Sequence, residues 1–409
     1  MREFIEKLEK EGKLARIKAK KEAIPGLIKQ NPGKALLFDA EGYDYRLASG
    51  ICSTRELIGE ALGGGNLLEK ISKAYEGAGK IIEEKKGACQ EIEEQVDLKK
   101  LPIIRHYKED AGDYITAGVV IAKDPELGYN LSFHRMLVLG KNKLTARIVP
   151  RHLYQFHERN PNLPIAIAIG LHPALLLAAA TSFSENKSEY EVAAKLMGEL
   201  RLVKAKNGLL VPADAEIILE GTLTDEKTDE GPFVDITGTV DIVRKEPVIK
   251  IDRITHRKNP IYHTIMPASS EHKLLMGMPR EPVIYSAINK KVKCLAVNLT
   301  QGGSAWLHGV IQIDKKKPDD GKTALKEAFA AHKSMKLAIA VDKDIDPYNP
   351  EDVEWAMATR FQADKDLIVL KEKGSSLDPS SDMETRMTAK MGIDATAPEK
   401  GGKDFKRAI

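Results

Sequence analysis

Three polar side chains interrupt the apolar runs in the middle of this 409-residue chain: Asn130 in YNLSFHR, His152 in PRHLYQFH and Glu220 in LLVPADAEIILEG. Together they offer an amide oxygen, an imidazole nitrogen and a carboxylate. That mixed set suits an octahedral, oxygen-preferring ion such as Mn2+ or Mg2+ better than structural zinc. A carboxylate at the end of an apolar strand, as Glu220 is, is costly to bury without a cation or a metal. Each residue also has a plainer reading: Asn130 capping a turn, His152 as a satisfied helix-start histidine, Glu220 paired with a lysine. Arg135 follows Asn130 by five positions, which puts the two on opposite faces of a flat strand. A turn or bulge must therefore intervene if both serve one site. Arg147 and Arg151 follow in the next runs.

The elements that must position these groups are mostly strands. Segments 115–122, 133–139, 143–149 and 164–170 are short, apolar and bounded by Gly, Pro or Asn, which is strand chemistry. Ile165, Ile167 and Ile169 alternate with Ala166 and Ala168, as in a strand whose bulkier side faces a core. Residues 187–202 read as a helix, and 215–223 and 247–255 as further strands. Before this region, Phe4, Ile5, Leu8 and Leu14 fall near helical spacing, Gly63–Gly65 reads as a turn, and 68–100 as a charged, solvated connector. After residue 290 helix and strand alternate, with Pro350, Glu351 and Asp352 marking a helix start. Residues 372–409 read as an extended polar tail. The expectation is an α/β (α+β) protein with an N-terminal α/β unit over 1–100, a central strand-rich domain over 101–290 and a C-terminal α/β domain over 291–409.

Composition narrows the function classes. With 63 Lys+Arg against 60 Asp+Glu the net charge is +3, far from the basic excess of a nucleic-acid binder. A scaffold role for the basic tail (Lys403, Lys406, Arg407) needs salt-dependent binding to a polyanion. No run reaches the roughly 18 apolar residues of a membrane span, and the charged N-terminus lacks a signal-peptide core. Cys52, Cys89 and Cys294 are too far apart for a disulfide framework or thiolate metal site. A cytoplasmic multi-domain enzyme is expected.

Read together, several segments resemble the UbiD family of reversible decarboxylases, which use prenylated FMN. They are DAGDYITAGVVIAKDPELGYNLSFHRM (110–136), LTARIVPRH (144–152), LPIAIAIGLHPA (163–174), LLVPADAEIILEG (209–221), EGPFVDITG (230–238), ITHRKNPIYHT (254–264), DVEWAMATRF (352–361) and AKMGIDAT (389–396). The likeness covers roughly residues 100–400 in order. It implies a split β-barrel flavin domain and a C-terminal oligomerisation domain, hence a homo-oligomer. It places Asn130, His152 and Glu220 on the family's divalent-metal ligands, with Mn2+ or Mg2+ bridging to the flavin phosphate and K+ as an additional candidate ion. Ser132, Phe133, His134, Arg135, Arg147, Ile148, Arg151 and His152 fall on the cofactor-binding runs, and Lys390 on the lysine that reaches the cofactor phosphate.

The same resemblance implies that Glu271 is the proton donor, with Arg135 binding a substrate carboxylate or orienting Glu271. The neighbourhood HTIMPASS holds no second acid, so the family's Glu-Arg-Glu network reads as incomplete, with His272 or His263 as substitutes. The expected substrate is a small unsaturated carboxylic acid, first a phosphorylated one: trans-anhydromevalonate 5-phosphate going to isopentenyl phosphate, as in compact archaeal members. An aromatic hydroxybenzoate-type acid is the alternative, and a non-catalytic flavin-binding assembly protein the alternative of another class. A flavin prenyltransferase is the implied supplier of cofactor.

Overall fold

The computed structural model describes residues 1–181, 187–382, 384–398 and 405; the tail residues Lys403, Lys406 and Arg407 lie outside these. Within it, the alternation at Leu163–Ile169 does what its pattern dictates. Ile165, Ile167 and Ile169 enter a core with Val120, Ala122, Ile217 and Leu219, while Ala166 and Ala168 are buried on the opposite face. Each isoleucine removed from water contributes on the order of 2 kcal/mol. Leu163–Ile169 is flanked by Ile217–Glu230 and Val119–Asp124 in a nine-stranded sheet. The order is Tyr114–Ile115, Met136–Val138, Lys143–Ala146, Arg244–His256, Ile217–Glu230, Leu163–Ile169, Val119–Asp124 and Gly128–Phe133, with Ile92–Glu94 added beside Arg244–His256. Neighbours run antiparallel throughout. The path is open: the expected strand-rich domain is one antiparallel sheet, and no closed barrel forms among the described residues.

The chain divides into two units, Met1–Leu275 and Met276–Ile409, rather than at residues 100 and 290. Non-local strand pairing is the reason. Arg46–Ser49 pairs in parallel with Ile261–His263, Lys80–Glu84 with Glu199–Lys204, and Ile92–Glu94 joins the large sheet. The opening helix Arg2–Lys10 buries Phe4, Ile5 and Leu8. Gly63, Gly64 and Gly65 all adopt positive φ in a turn after the helix Arg55–Ala61.

The second unit is a five-stranded sheet ordered Cys294–Leu299, His308–Ile313, Leu337–Asp342, Met387–Asp394, Leu367–Lys373. Helix Asp320–Ala331 packs on it, and Pro350–Arg360 begins where expected, with Asn349 Oδ1 accepting from Glu351 N at 3.1 Å. The expected tail is corrected here. Met387–Asp394 is an inner strand, parallel to Leu337–Asp342, and buries alternate residues Thr388, Lys390 and Gly392. Its polar flanks concealed that alternation. No helix among the described residues is long and apolar enough to cross a membrane.

Candidate active site

Arg135 is where chemistry-bearing side chains converge. Strand Gly128–Phe133 ends at Phe133 and Met136–Val138 begins after two intervening residues, so the required turn falls at His134–Arg135. The Arg135 fork closes on Glu230: Nε donates to Oε1 at 2.9 Å and Nη2 to Oε2 at 2.8 Å. Nη1 donates to Asp235 Oδ2 at 3.1 Å, and Asp241 Oδ2 lies 2.9 Å from Nη2. Arg244 supplies a second guanidinium, donating to Asp241 at 2.7 Å. Burial opposes the Arg135 charge, but hydrogen bonds to Glu230 and the charges of Glu230, Asp235 and Asp241 outweigh it and hold the guanidinium above its ordinary pKa. The Tyr114 hydroxyl donates to Glu230 Oε1 at 3.2 Å, and the Phe233 ring centroid lies 4.8 Å from the guanidinium carbon.

Local sequence explains the cluster. Glu230 ends the long strand Ile217–Glu230, and Gly231 follows at φ +99°. A Cβ there would stand 3.0 Å from the Ile242 carbonyl oxygen, so glycine is the residue that fits the corner. The ribbon Phe233–Val234 and Val240–Asp241 then returns Asp235 and Asp241 to the same guanidinium. His272 lies near Asp235; burial lowers its pKa and Asp235 opposes the shift. His106 Nε2 meets Thr264 Oγ1 at 2.9 Å, and burial pushes its pKa down to about 3.

A second constellation occupies the free edge of strand Gly128–Phe133, the last in the sheet. Asn130 Nδ2 donates to Ser132 Oγ at 2.9 Å, Ser132 Oγ lies 2.9 Å from His134 Nε2, and His134 Nδ1 lies 2.9 Å from the Arg147 carbonyl oxygen. The N–H that follows Asn130, that of Leu131, donates at 3.1 Å to Glu189 Oε2. Glu189 opens the helix Glu189–Met197, is buried, and has its pKa pushed up to about 7 by desolvation. Among the described residues no cationic side chain reaches it. A buried carboxylate and an amide oxygen are the donor types that a hard metal ion takes. His152 begins the helix His152–Arg159, which packs on this same strand and on Val119–Asp124.

Glu220, expected with Asn130 and His152, is not brought to them. In the antiparallel register Asn130, Ala122, Ile165 and Gly221 share one row, and Leu131, Ile121, Ala166 and Glu220 the next. Adjacent rows face opposite sides of a sheet, and three strand spacings span roughly 14 Å. Glu220 instead accepts from Asn207 N at 2.8 Å and Arg253 Nη1 at 3.1 Å. Glu271 is likewise placed elsewhere. It accepts from Gly50 N at 2.7 Å and Cys52 N at 3.0 Å, with His263 Nε2 at 3.3 Å, tying helix Ser270–Gly277 to the N-terminal sheet. The acid–arginine–acid arrangement read as incomplete around Glu271 is found around Arg135, with Glu230 and Asp235. EGPFVD carries two acids five apart around a Gly-Pro corner, the signal that could have found them. Glu189 had only its place in a helix first turn, where an acid reads as a dipole partner.

Arg147 pairs with Glu246, whose other oxygen accepts from Ile148 N at 3.1 Å. Phe133 is half-buried and Arg151 exposed. Lys390 lies in the second unit, buried, 3.2 Å from Glu372 Oε2 and 5.6 Å from the Phe329 ring centroid.

Residues 80–270 match the family described as the 3-octaprenyl-4-hydroxybenzoate carboxy-lyase Rift-related domain, and residues 273–395 its C-terminal domain. The chain is 43% identical over 405 residues to the anhydromevalonate phosphate decarboxylase of Methanocaldococcus jannaschii, covering 95% of each protein. It is similar to the UbiD-class enzyme HmfF from Pelotomaculum thermopropionicum in complex with FMN, with a TM-score of 0.95, 38% identity and coverage of 100% and 96%. An evolved dimeric form of that enzyme in complex with prenylated FMN gives a TM-score of 0.91 at 37% identity, covering 98% and 96%.

Proposed function

Because this chain belongs to the UbiD family, we propose that it is a prenylated-FMN-dependent decarboxylase that converts anhydromevalonate phosphate to isopentenyl phosphate and CO2. The observation that carries the reading is the closure of the Arg135 fork on Glu230, with Asp235 on the remaining nitrogen. Bound prenylated FMN supplies the electron sink that an α,β-unsaturated carboxylate lacks. This chain's residues supply position and a proton. Arg135 does not bind a substrate carboxylate with its fork, since Glu230 already fills it; it orients Glu230. Held by the fork as a carboxylate, Glu230 takes a proton from solvent and passes it to the carbon that CO2 leaves, which returns it to the carboxylate that Arg135 grips. The Tyr114 hydroxyl and the Phe233 ring pack against this pair and fix its orientation.

Asn130, His152 and Glu189 would hold a Mn2+ or Mg2+ ion at the free strand edge, where it would neutralise the flavin phosphate. Ser132, Phe133, His134, Arg147, Ile148 and Arg151 form the adjoining cofactor runs. The protein works as a cytoplasmic homo-oligomer and receives its cofactor from a flavin prenyltransferase. Co-expression with that enzyme, followed by assay on the phosphorylated acid, tests the reading. Stoichiometric CO2 and isopentenyl phosphate are expected. A flavin-loaded protein that releases neither from this acid overturns the substrate assignment.

A further inference from the structure

We infer that His134 is a positioning residue: acting through Ser132, it fixes which end of the Asn130 side-chain amide faces the metal. The inference rests on the reading of Asn130 as a metal ligand and adds a device that selects its donor atom. Its basis is the direction of three hydrogen bonds. The Arg147 carbonyl oxygen, 2.9 Å from His134 Nδ1, can only accept, so Nδ1 carries the hydrogen. The other ring nitrogen, Nε2, then presents its lone pair to Ser132 Oγ at 2.9 Å, and the serine hydroxyl donates to it. With its only hydrogen committed, Ser132 Oγ accepts from Asn130 Nδ2 at 2.9 Å. With the imidazole neutral the order cannot be reversed, because the carbonyl at its far end has no hydrogen to give.

The consequence lies at Asn130. Rotating its amide by half a turn would set Oδ1 against Ser132 Oγ, two acceptors with no hydrogen between them. The amide therefore keeps Nδ2 on the serine and leaves Oδ1 for an ion. An amide nitrogen does not ligate a hard cation, so a flipped side chain is a lost ligand. The far end of the chain is itself held. Arg147 and the N–H of Ile148 both bind Glu246, which keeps the accepting carbonyl in place. Partners of this kind, which orient a ligand without touching the metal, typically govern about 10–100-fold in affinity.

The test is Mn2+ titration of the FMN-loaded full chain, followed by the electron paramagnetic resonance signal of free Mn2+. His134→Leu removes the acceptor for Ser132 and should weaken Mn2+ binding about 10–100-fold. His134→Gln has one amide oxygen to accept from Ser132 and an NH2 to donate to Arg147, and should restore affinity to within about twofold. Asn130→Asp presents oxygen at either end, so in that background adding His134→Leu should cost less than about twofold. Equal losses from His134→Leu with and without the Asn130→Asp substitution, or wild-type affinity in His134→Leu, would overturn the inference. Asn130→Ala separates the two levels. Weakened Mn2+ binding there with none in His134→Leu sinks the positioning role alone, whereas unchanged binding in Asn130→Ala sinks the metal reading and this inference together.

Discussion

Glu230 grips Arg135 at both ends of its fork, Nε to Oε1 at 2.9 Å and Nη2 to Oε2 at 2.8 Å, although 95 residues separate the two in the chain. Glu230 is fully buried and Arg135 nearly so. In that setting removing one partner costs far more than the pair itself contributes, because the survivor is left charged and dry.

Arg135→Met should therefore destabilise the protein by about 3–5 kcal/mol, since it strands Glu230. Arg135→Lys keeps the charge but replaces a planar fork with a point, so Glu230, Asp235 and Asp241 can no longer all be met. It should retain the fold and lower kcat by about 100-fold through misplacement of Glu230. Urea unfolding and steady-state rates on flavin-loaded protein separate the two effects. Wild-type kcat in Arg135→Lys would remove the fork from the account.

Glu189 and Glu220 make opposite predictions. Glu189→Ala should lose Mn2+ and, with it, tight flavin retention through gel filtration. Glu220→Ala should keep both, while stability falls by about 1–3 kcal/mol as the Asn207 N–H loses its acceptor. Metal content measured on the purified variants decides between them, and Mn2+ loss in Glu220→Ala would reverse the assignment.

His106 gives a pH dependence. Its folded pKa, about 3, lies below the ordinary histidine value, so between about pH 3 and 6.5 the unfolded chain binds up to one more proton there. Stability then falls as pH drops through that window, by up to about 1.4 kcal/mol per pH unit from this group. His134, His172 and His332 are depressed too and add to the slope. In His106→Gln, which can still meet Thr264, the slope should be shallower by one proton's worth. Parallel curves for the two proteins from about pH 4 to 6 would contradict this.

What could be read in advance follows the range of the interactions. The alternation of Ile165, Ile167 and Ile169 and the Pro350 helix start are local signals, and both became the elements expected. The turn demanded between Asn130 and Arg135 follows from period-two geometry, and it lies at His134–Arg135. Glu220 misled because spacing says nothing about register: one step along its strand would have put it in the row of Asn130. Glu189 and Glu230 were opaque for a related reason. Each acquires its meaning from a partner on a distant segment, Leu131 for one and Arg135 for the other. Glu271 shows the converse. An acid in a promising motif can be spent on structure, and here it accepts the N–H groups of Gly50 and Cys52. Gly50 itself is required there: its φ is +76°, and a Cβ would stand 2.2 Å from the Lys34 carbonyl oxygen.

The most direct test compares Glu230→Gln with Glu271→Gln, both loaded with prenylated FMN, in single-turnover decarboxylation with flavin absorbance recorded alongside. The amide at position 230 still meets Arg135 with its oxygen but has no acidic proton to give. That variant should keep its flavin and lose about 100- to 10,000-fold in rate, the usual worth of a positioned proton donor. Glu271→Gln should lose stability and retain near-normal chemistry in the molecules that fold. The reverse result, an active Glu230→Gln beside a folded, flavin-bound but inactive Glu271→Gln, would contradict the placement of the proton donor on the Arg135 cluster.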